Sequence, residues 1–308
     1  METNSSSTRF DLYERVTNEI IKAIEAGAGK YRMPWHCGSI VPRNAGTILP
    51  YRGINLIALS SAACVRGFQS RYWATYRQWN KLGAQVRRGE KASVIVFFKR
   101  EESDHHEEDD NEERGRVVIR GSSVFNANQV DGWREEEVPQ GDTIEHLEVV
   151  ETFVSSLGAA IRYGGSAAYY HKPLDQIHMP DRQKFAGTSA RTAAEAFYSV
   201  LLHELTHWSG HPKRLNRALS GRFGTSAYAM EELIAEFGAA FLCAELGISV
   251  HPRRDHAAYV ASWLQVLRRQ KTAIVTAAGS ATTACRYLRE ISLAKQRAAE
   301  PRSDFSGS

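Results

Sequence analysis

The stretch His203-Glu204-Leu205-Thr206-His207 lies inside a segment with all the local signals of one helix. That combination restricts the surrounding fold more than any other feature of the chain. Thr192 and Glu195 form a T-x-x-E start signal, in which two side chains satisfy backbone N–H groups that the first turn leaves unpaired. Phe197, Val200, Leu201, Leu205 and Trp208 supply apolar positions, and Gly210 ends the run. On such a helix His203 and His207 project from one face, one turn apart, so that two imidazole nitrogens can reach one ion. Glu204 stands one step round, placed to take a proton from water rather than to ligate. This is the pattern of a metal-dependent peptidase, with Glu204 later passing its proton to the leaving amine. Zn2+ suits the donors, and another divalent metal is compatible with them. A pair of surface histidines is the plain alternative. The capped start, the apolar flanks and the need to bury Trp208 beside His207 argue against it.

Such a site needs a third protein ligand. A histidine three residues past the closing glycine would serve, but that position is Lys213. His211 follows the helix stop without an obvious geometry for the same ion. The better source is the segment 226–246, where Ala235, Gly238, Ala239 and Ala240 permit close approach to another helix. It carries Glu231, Glu232 and Glu236. Glu232 and Glu236 share a face; we take Glu232 as the ligand and Glu236 as the partner that orients a histidine. Geometry alone leaves the swapped assignment open. Glu231 points elsewhere and is expected in solvent. Asp175 to Pro180 reads as an extended piece, either an edge strand that pairs with a peptide substrate or an ordinary core strand. Tyr198 is equally an oxyanion donor or a core residue.

The net charge of +4 conceals an imbalance. Residues 1–100 hold 16 Lys+Arg against 6 Asp+Glu, a net of +10, while residues 101–113 hold nine acids and no base. A basic region attracts phosphates by Coulomb force and counterion release. Between 71 and 100 aromatics alternate with cations, the pattern in which bases stack on rings while cations follow the backbone. No zinc finger, recognition helix or RNP motif is present, so sequence-specific readout is not indicated. Candidate DNA contacts are Arg52, Asn55, Arg71, Tyr72, Tyr76, Arg77, Lys81, Arg87, Arg88, Lys91, Lys99 and Arg100. Trp73 and Trp79 are expected in the core. The acidic run is a strand connection that could compete with DNA for the basic face.

Periodicity predicts helices at 10–27, 55–65 and 78–82, and strands at 73–76, 93–100, 116–119 and 123–125. Beyond this the chain turns mainly helical, at 144–162, 192–208, 226–246, 255–276 and 279–299. The expected organisation is α+β: a small basic α+β DNA-binding domain over 8–135, a linker at 136–143, a mainly helical metallopeptidase domain over 144–300, and a disordered tail at 301–308. No apolar run reaches the roughly 18 residues of a membrane span. The polar N-terminus lacks a signal core. Cys37, Cys64, Cys243 and Cys285 form no CxxC pair and are expected as reduced, mostly buried thiols of a cytoplasmic protein.

Several of these residues carry a family resemblance. Tyr51-Arg52-Gly53-Ile54-Asn55, Trp73…Thr75, Leu82-Gly83…Val86-Arg87-Arg88-Gly89-Glu90-Lys91 and Val124-Phe125-Asn126…Gln129 resemble the N-terminal domain of ArdC-type antirestriction proteins. That domain is also similar to the N-terminal region of TraC-type plasmid primases. Asp175-x-Ile177-x-Met179-Pro180, Phe185, His203 to Trp208, Arg214-Leu215 and Glu231-Glu232-Leu233-x-Ala235-Glu236 resemble the same proteins' zincin-like peptidase domain. The resemblance implies a plasmid- or phage-borne protein that binds single-stranded DNA and counters host restriction during conjugative entry. It implies a Glu from the later helix as third ligand, in agreement with Glu232. The acidic run departs from the family pattern. The expected partners are single-stranded DNA and an unidentified protein substrate, with the host restriction system as one source; no membrane is expected. The competing reading is a single-stranded DNA-binding protein whose metal site is structural and not catalytic.

Overall fold

The computed structural model describes residues 3–28, 33, 41–101, 116–135, 143–187, 192–217, 219, 225–248 and 256–299. The class is α+β. The first half runs α1 (Thr3–Ala28), β1 (Arg43–Asn44), α2 (Ile54–Arg66), β2 (Tyr72–Ala74), α3 (Tyr76–Lys81), β3 (Gln85–Val86), β4 (Ser93–Glu101), β5 (Arg116–Asn126) and β6 (Val130–Asp131). The second half runs α4 (Thr143–Ser156), β7 (Ala160–Tyr163), β8 (Tyr169–His171), β9 (Gln176–Met179), α5 (Ala193–Ser209), α6 (Ser226–Leu246), α7 (His256–Arg269) and α8 (Ala273–Ala299).

A four-stranded sheet of order β1-β2-β5-β4 supports the first half, and a two-stranded pair β3-β6 flanks it. β4 and β5 are antiparallel from Ser93 opposite Val124 to Glu101 opposite Arg116. The acidic run connects them and, beyond Glu101 at the end of β4, lies outside the described residues. Two return strands, 116–119 and 123–125, were the expectation; β5 is instead one continuous strand. Gly121 is there for space: a Cβ would stand 2.8 Å from Leu12 Cδ1 of α1, which crosses this face. The strand expected at 73–76 stops at Ala74, because Thr75 caps α3 in a capping box with Gln78.

The second half holds a three-stranded sheet of order β7-β9-β8, with β7 parallel and β8 antiparallel to β9. Periodicity showed only β9 of these three. It is the central strand, so the edge-strand reading of Asp175 to Pro180 is corrected: both of its backbone edges are already paired. α4 ends at Ser156 rather than 162, and Gly158 with φ +67° turns the chain into β7. The break between the last two helices falls at Gln270–Thr272 rather than near Gly279, which lies within α8. A tertiary contact accounts for the position: the Lys271 carbonyl accepts from Thr17 Oγ1 of α1 at 2.7 Å.

One hydrophobic core runs through both halves. Val16, Ile20 and Ile24 of α1 and Leu56 and Ile57 of α2 belong to the same buried cluster as Leu202, Phe237, Trp263 and Leu288. α1 packs on α7 and α2 on α8. Smaller clusters form around Trp79 and Trp73, both fully buried as expected. The linker expected at 136–143 lies outside the described residues except for Thr143, which opens α4; the tail at 301–308 lies outside them too. Among the described residues no helix is long and apolar enough to cross a membrane. Cys243 and Cys285 are buried thiols outside any disulfide, but Cys64 is disulfide-bonded, which corrects the expectation of four reduced thiols. Sequence separation carries no information on which cysteines folding brings together.

Candidate metal centre and nucleic-acid interface

α5 begins at the expected capping box: Glu195 N donates to Thr192 Oγ1 at 3.1 Å, and Thr192 N donates to Glu195 Oε2 at 2.8 Å. α6 begins at Thr225, whose hydroxyl accepts from Tyr228 N. The two helices meet closely at Gly238, where a Cβ would stand only 2.5 Å from Thr206 Cγ2. This close approach brings the glutamates of α6 to the histidines of α5.

His203 Nε2 and His207 Nε2 lie 3.2 Å apart. Glu232 stands between them, with Oε2 at 3.6 Å from His203 Nε2 and Oε1 at 3.5 Å from His207 Nε2. Tetrahedral ligands at about 2.0–2.1 Å from one ion lie roughly 3.3 Å from each other, so these separations fit a divalent ion. His203, His207 and Glu232 form a candidate metal-holding group whose ligand atoms all lie within 4.8 Å. Glu204 is outside that group and 2% exposed. The far nitrogens of both rings face carboxylates as well. His203 Nδ1 is 3.6 Å from Glu236 Oε2, and His207 Nδ1 is 3.2 Å from Glu231 Oε1. As numbering rises by four along α5 it falls by five along α6, as antiparallel helices require.

Electrostatics follow from this packing. Burial disfavours the charged form of His207, but hydrogen bonds to Glu231 and Glu232 outweigh it and push the imidazole up to about 10. Burial would raise the Glu232 carboxyl, but its contacts with His203 and His207 hold it far below the usual carboxylate range. Glu231 is likewise lowered by His207 and Arg217 against the effect of burial.

Glu231 corrects an expectation. It is 8% exposed rather than in solvent. α6 is buried without interruption from Glu231 to Cys243, so no side of that stretch faces water. Sequence reasoning also missed Arg217, whose Nε and Nη2 donate to the two oxygens of Glu231 at 3.2 and 2.9 Å. It missed the clamp beside the motif, where Arg214 pairs with both oxygens of Asp175 and its guanidinium lies 3.8 Å over the Trp208 ring. The Asp175 and Arg214 motif residues were visible, but not that they meet. His211 Nδ1 accepts from Lys213 N at 3.2 Å, away from the three clustered ligand atoms. Tyr198 is 2% exposed and donates its hydroxyl to Glu151, which commits it to packing rather than to an oxyanion.

The candidate DNA contacts divide into four groups. Arg77, Lys81, Arg88 and Lys91 are exposed, and Tyr76 presents 46% of its surface with its hydroxyl accepting from Gln85 Nε2. Tyr76, Arg87 and Arg88 line an open depression of about 590 Å3 floored by Phe125 and Val86. Arg52 is exposed but lines a different cleft, with Phe241, Glu245 and Arg289 of the second half. Tyr72, Asn55, Arg87 and Arg71 have structural duties. Tyr72 is corrected: it is 4% exposed, packed edge-on against Trp133, because β2 is buried on both faces. Asn55 donates to the Val96 carbonyl and accepts from Val96 N, which ties α2 to β4. Arg87 bonds Asp131, Glu90 and the Asn128 and Val130 carbonyls, and Arg71 pairs with Glu135. The side chains of Lys99 and Arg100, at the end of β4, lie outside the described residues.

Residues 10–125 match the family described as the N-terminal domain of anti-restriction factor ArdC, and residues 148–280 match the zincin-like metallopeptidase family. A protein of Sinorhizobium fredii, y4eC, is 48% identical over 282 residues, covering 89% of this chain and 90% of its own length. DNA primase TraC of Escherichia coli is 37% identical over 290 residues, and the chain spans only 26% of that protein. The metal-free crystal structure of antirestriction protein ArdC from plasmid R388 superposes with a TM-score of 0.71 at 38% identity, covering 92% of this chain and 98% of that one. Its Mn(II)-bound structure gives 0.69 at 37% identity, covering 91% and 98%.

Proposed function

We propose, given that this chain belongs to the ArdC family of antirestriction proteins, that it protects incoming plasmid DNA from host restriction during conjugation. In this reading one protein combines a single-stranded DNA-binding face with a metallopeptidase site. The observation that carries the reading is the buried group His203, His207 and Glu232, with Glu204 adjacent in sequence and also buried. Two imidazoles and one carboxylate suit Zn2+, and Mn(II) is bound in the R388 relative. A bound divalent ion supplies Lewis-acid polarisation of a carbonyl and acidifies water. Glu204 holds the proton taken from water and returns it to the departing amine. Glu236, whose Oε2 stands 3.6 Å from His203 Nδ1, just beyond hydrogen-bond distance, is the carboxylate placed to orient that ring. Arg77, Lys81, Arg88 and Lys91 track phosphates, and Tyr76 offers a ring on which a base can stack. The substrate class is a protein of the host restriction system, and the site of action is the recipient's cytoplasm. The priming activity in the TraC name is not carried over, since the chain spans only 26% of that protein.

The test is a restriction-protection assay during conjugation, comparing Glu204→Ala with wild type and measuring metal content and single-strand affinity on both. Glu204 is not a proposed ligand, so metal and DNA binding should persist while protection falls. Full protection by the variant would mean that proteolysis is not the protective mechanism.

A further inference from the structure

We infer that Arg217 is a positioning residue of the metal centre: it fixes the ring of His207 through Glu231, and Gly210 is the seat that admits its guanidinium. The inference rests on the reading of His203, His207 and Glu232 as the metal-binding group.

Arg217 lies in the chain beyond α5, not on either helix, and its side chain is 12% exposed. Its main chain is tied back by Arg217 N donating to the Gly210 carbonyl at 2.9 Å. Its guanidinium makes four hydrogen bonds. Nε and Nη2 donate to Glu231 Oε2 and Oε1, Nη1 donates to Ser209 Oγ at 2.9 Å, and Nη2 donates to the Thr206 carbonyl at 2.6 Å. The cation therefore joins the end of the HELTH turn to the start of the glutamate helix.

Gly210 explains how it fits. Its backbone (φ −81°, ψ −2°) is one that any residue adopts, so conformational freedom is not what glycine supplies there. A Cβ would stand 2.8 Å from Arg217 Nη2 and 2.9 Å from Cζ. The residue that reads as a helix stop is needed for the space above it.

The consequence for the metal centre is directional. A ring held by its Nδ1 has its Nε2 aimed, and Glu231 Oε1 holds the His207 ring in this way. Arg217 in turn grips both Glu231 oxygens, so that carboxylate cannot swing toward the ligand positions. His203 faces Glu236 at the longer distance of 3.6 Å. The chain Arg217–Glu231–His207 is thus the more tightly held of the two supports.

The experiment measures Zn2+ affinity of the full-length protein by competition with a chromophoric chelator, together with the visible spectrum of the Co2+-loaded protein. Arg217→Met should weaken Zn2+ binding up to about 10-fold and change the Co2+ spectrum; loss of the carboxylate that touches a ligating histidine costs about 10- to 100-fold, and Arg217 acts one contact further out. Arg217→Lys should recover part of that loss. Arg217→Met combined with Glu231→Gln should bind no more weakly than the weaker single variant, because both act through one contact. Gly210→Ala, which displaces the guanidinium without removing it, should weaken binding in the same direction and provides the test if Arg217→Met does not fold. Wild-type affinity and spectrum in folded Arg217→Met or Gly210→Ala would overturn the proposal, as would full additivity in the double variant. Retention of a full Zn2+ equivalent by His203→Ala would instead overturn the metal-site reading beneath it.

Discussion

Replacing Gly238 by alanine tests whether the α5–α6 approach governs the metal centre. Two effects oppose each other. Alanine is the better helix former, by about 1 kcal/mol. Against this, the new Cβ would stand 2.5 Å from both Thr206 Cγ2 and Thr206 Oγ1, where carbon contacts prefer about 3.5–4.0 Å. Thr206 is fully buried and its hydroxyl donates to the Leu202 carbonyl at 2.9 Å, so it cannot turn away without losing that bond. Overpacking of a tight core costs about 1–3 kcal/mol, and two contacts this short place the cost near the top of that range. The net is a destabilisation of about 2 kcal/mol. At about 2–4 °C per kcal/mol, the melting temperature should fall by roughly 4–8 °C in a thermal scan of metal-free protein. The same displacement acts two residues from Glu236 and six from Glu232, so Zn2+ affinity should fall with it. Thr206→Ala removes both clashing atoms, and the double variant should recover more than half of the melting loss. A Gly238→Ala protein that melts at or above wild type would refute this account of the helix contact.

Other perturbations follow from the same structure. Asp175→Asn should destabilise the protein by about 1.5–3 kcal/mol at pH 7, because Arg214 loses its charged partner. The Arg214 hydrogen bond, opposed by burial, holds the Asp175 carboxyl below its ordinary range. Its folded-state pKa is depressed, so the contribution is present above about pH 4 and is lost as pH falls through the folded value. Denaturant unfolding of both proteins should therefore converge toward pH 2, and a difference that grows on acidification would contradict the pairing. Affinity for single-stranded DNA should fall steeply with added salt, and Lys81→Ala should reduce the log–log slope by about 0.7. Arg87→Ala should instead lower stability, since its cation is already paired with Asp131 and Glu90; an unchanged melting temperature would argue against that role. Chelation should lower the melting temperature of metal-loaded wild type, by the equivalent of about 2.7 kcal/mol if the metal had been present at a hundred times its Kd. Chelator should leave His207→Ala unaffected, and an equal shift in that variant would place the metal elsewhere.

The helices that position the site were readable because each carries its own punctuation. Thr192 and Glu195 start α5, and the small residues Ala235, Gly238, Ala239 and Ala240 mark α6 as a close-packing helix. The residues that complete the site were not readable, because their meaning is tertiary. Glu231 looks like one more surface glutamate until α6 is seen to be buried from that residue to Cys243. Arg217 has no helical period to belong to. The sheet β7-β9-β8 was mostly invisible, since β7 is only four residues long and exposed everywhere but at the half-buried Ile161. The basic segment is the opposite case. Its composition is right for phosphate binding, but Arg87, Asn55 and Tyr72 are used to tie turn, helix and strand together.

The seam between α1 and the last helices has a consequence for how the protein is made. Thr17 bonds the Lys271 carbonyl, Lys271 Nζ donates to Asn18 Oδ1 at 2.7 Å, and Arg268 pairs with Glu25. Part of the apolar stripe of α1 thus finds its partner only after about 240 further residues have left the ribosome, a wait of roughly 12–48 s at typical elongation rates. During that interval Ile20 and Ile24, which end fully buried, have no α7 to cover them. Synthesis should be the most vulnerable stage in the life of this molecule, and a chaperone that shields its first helix should raise yield more than one acting after release.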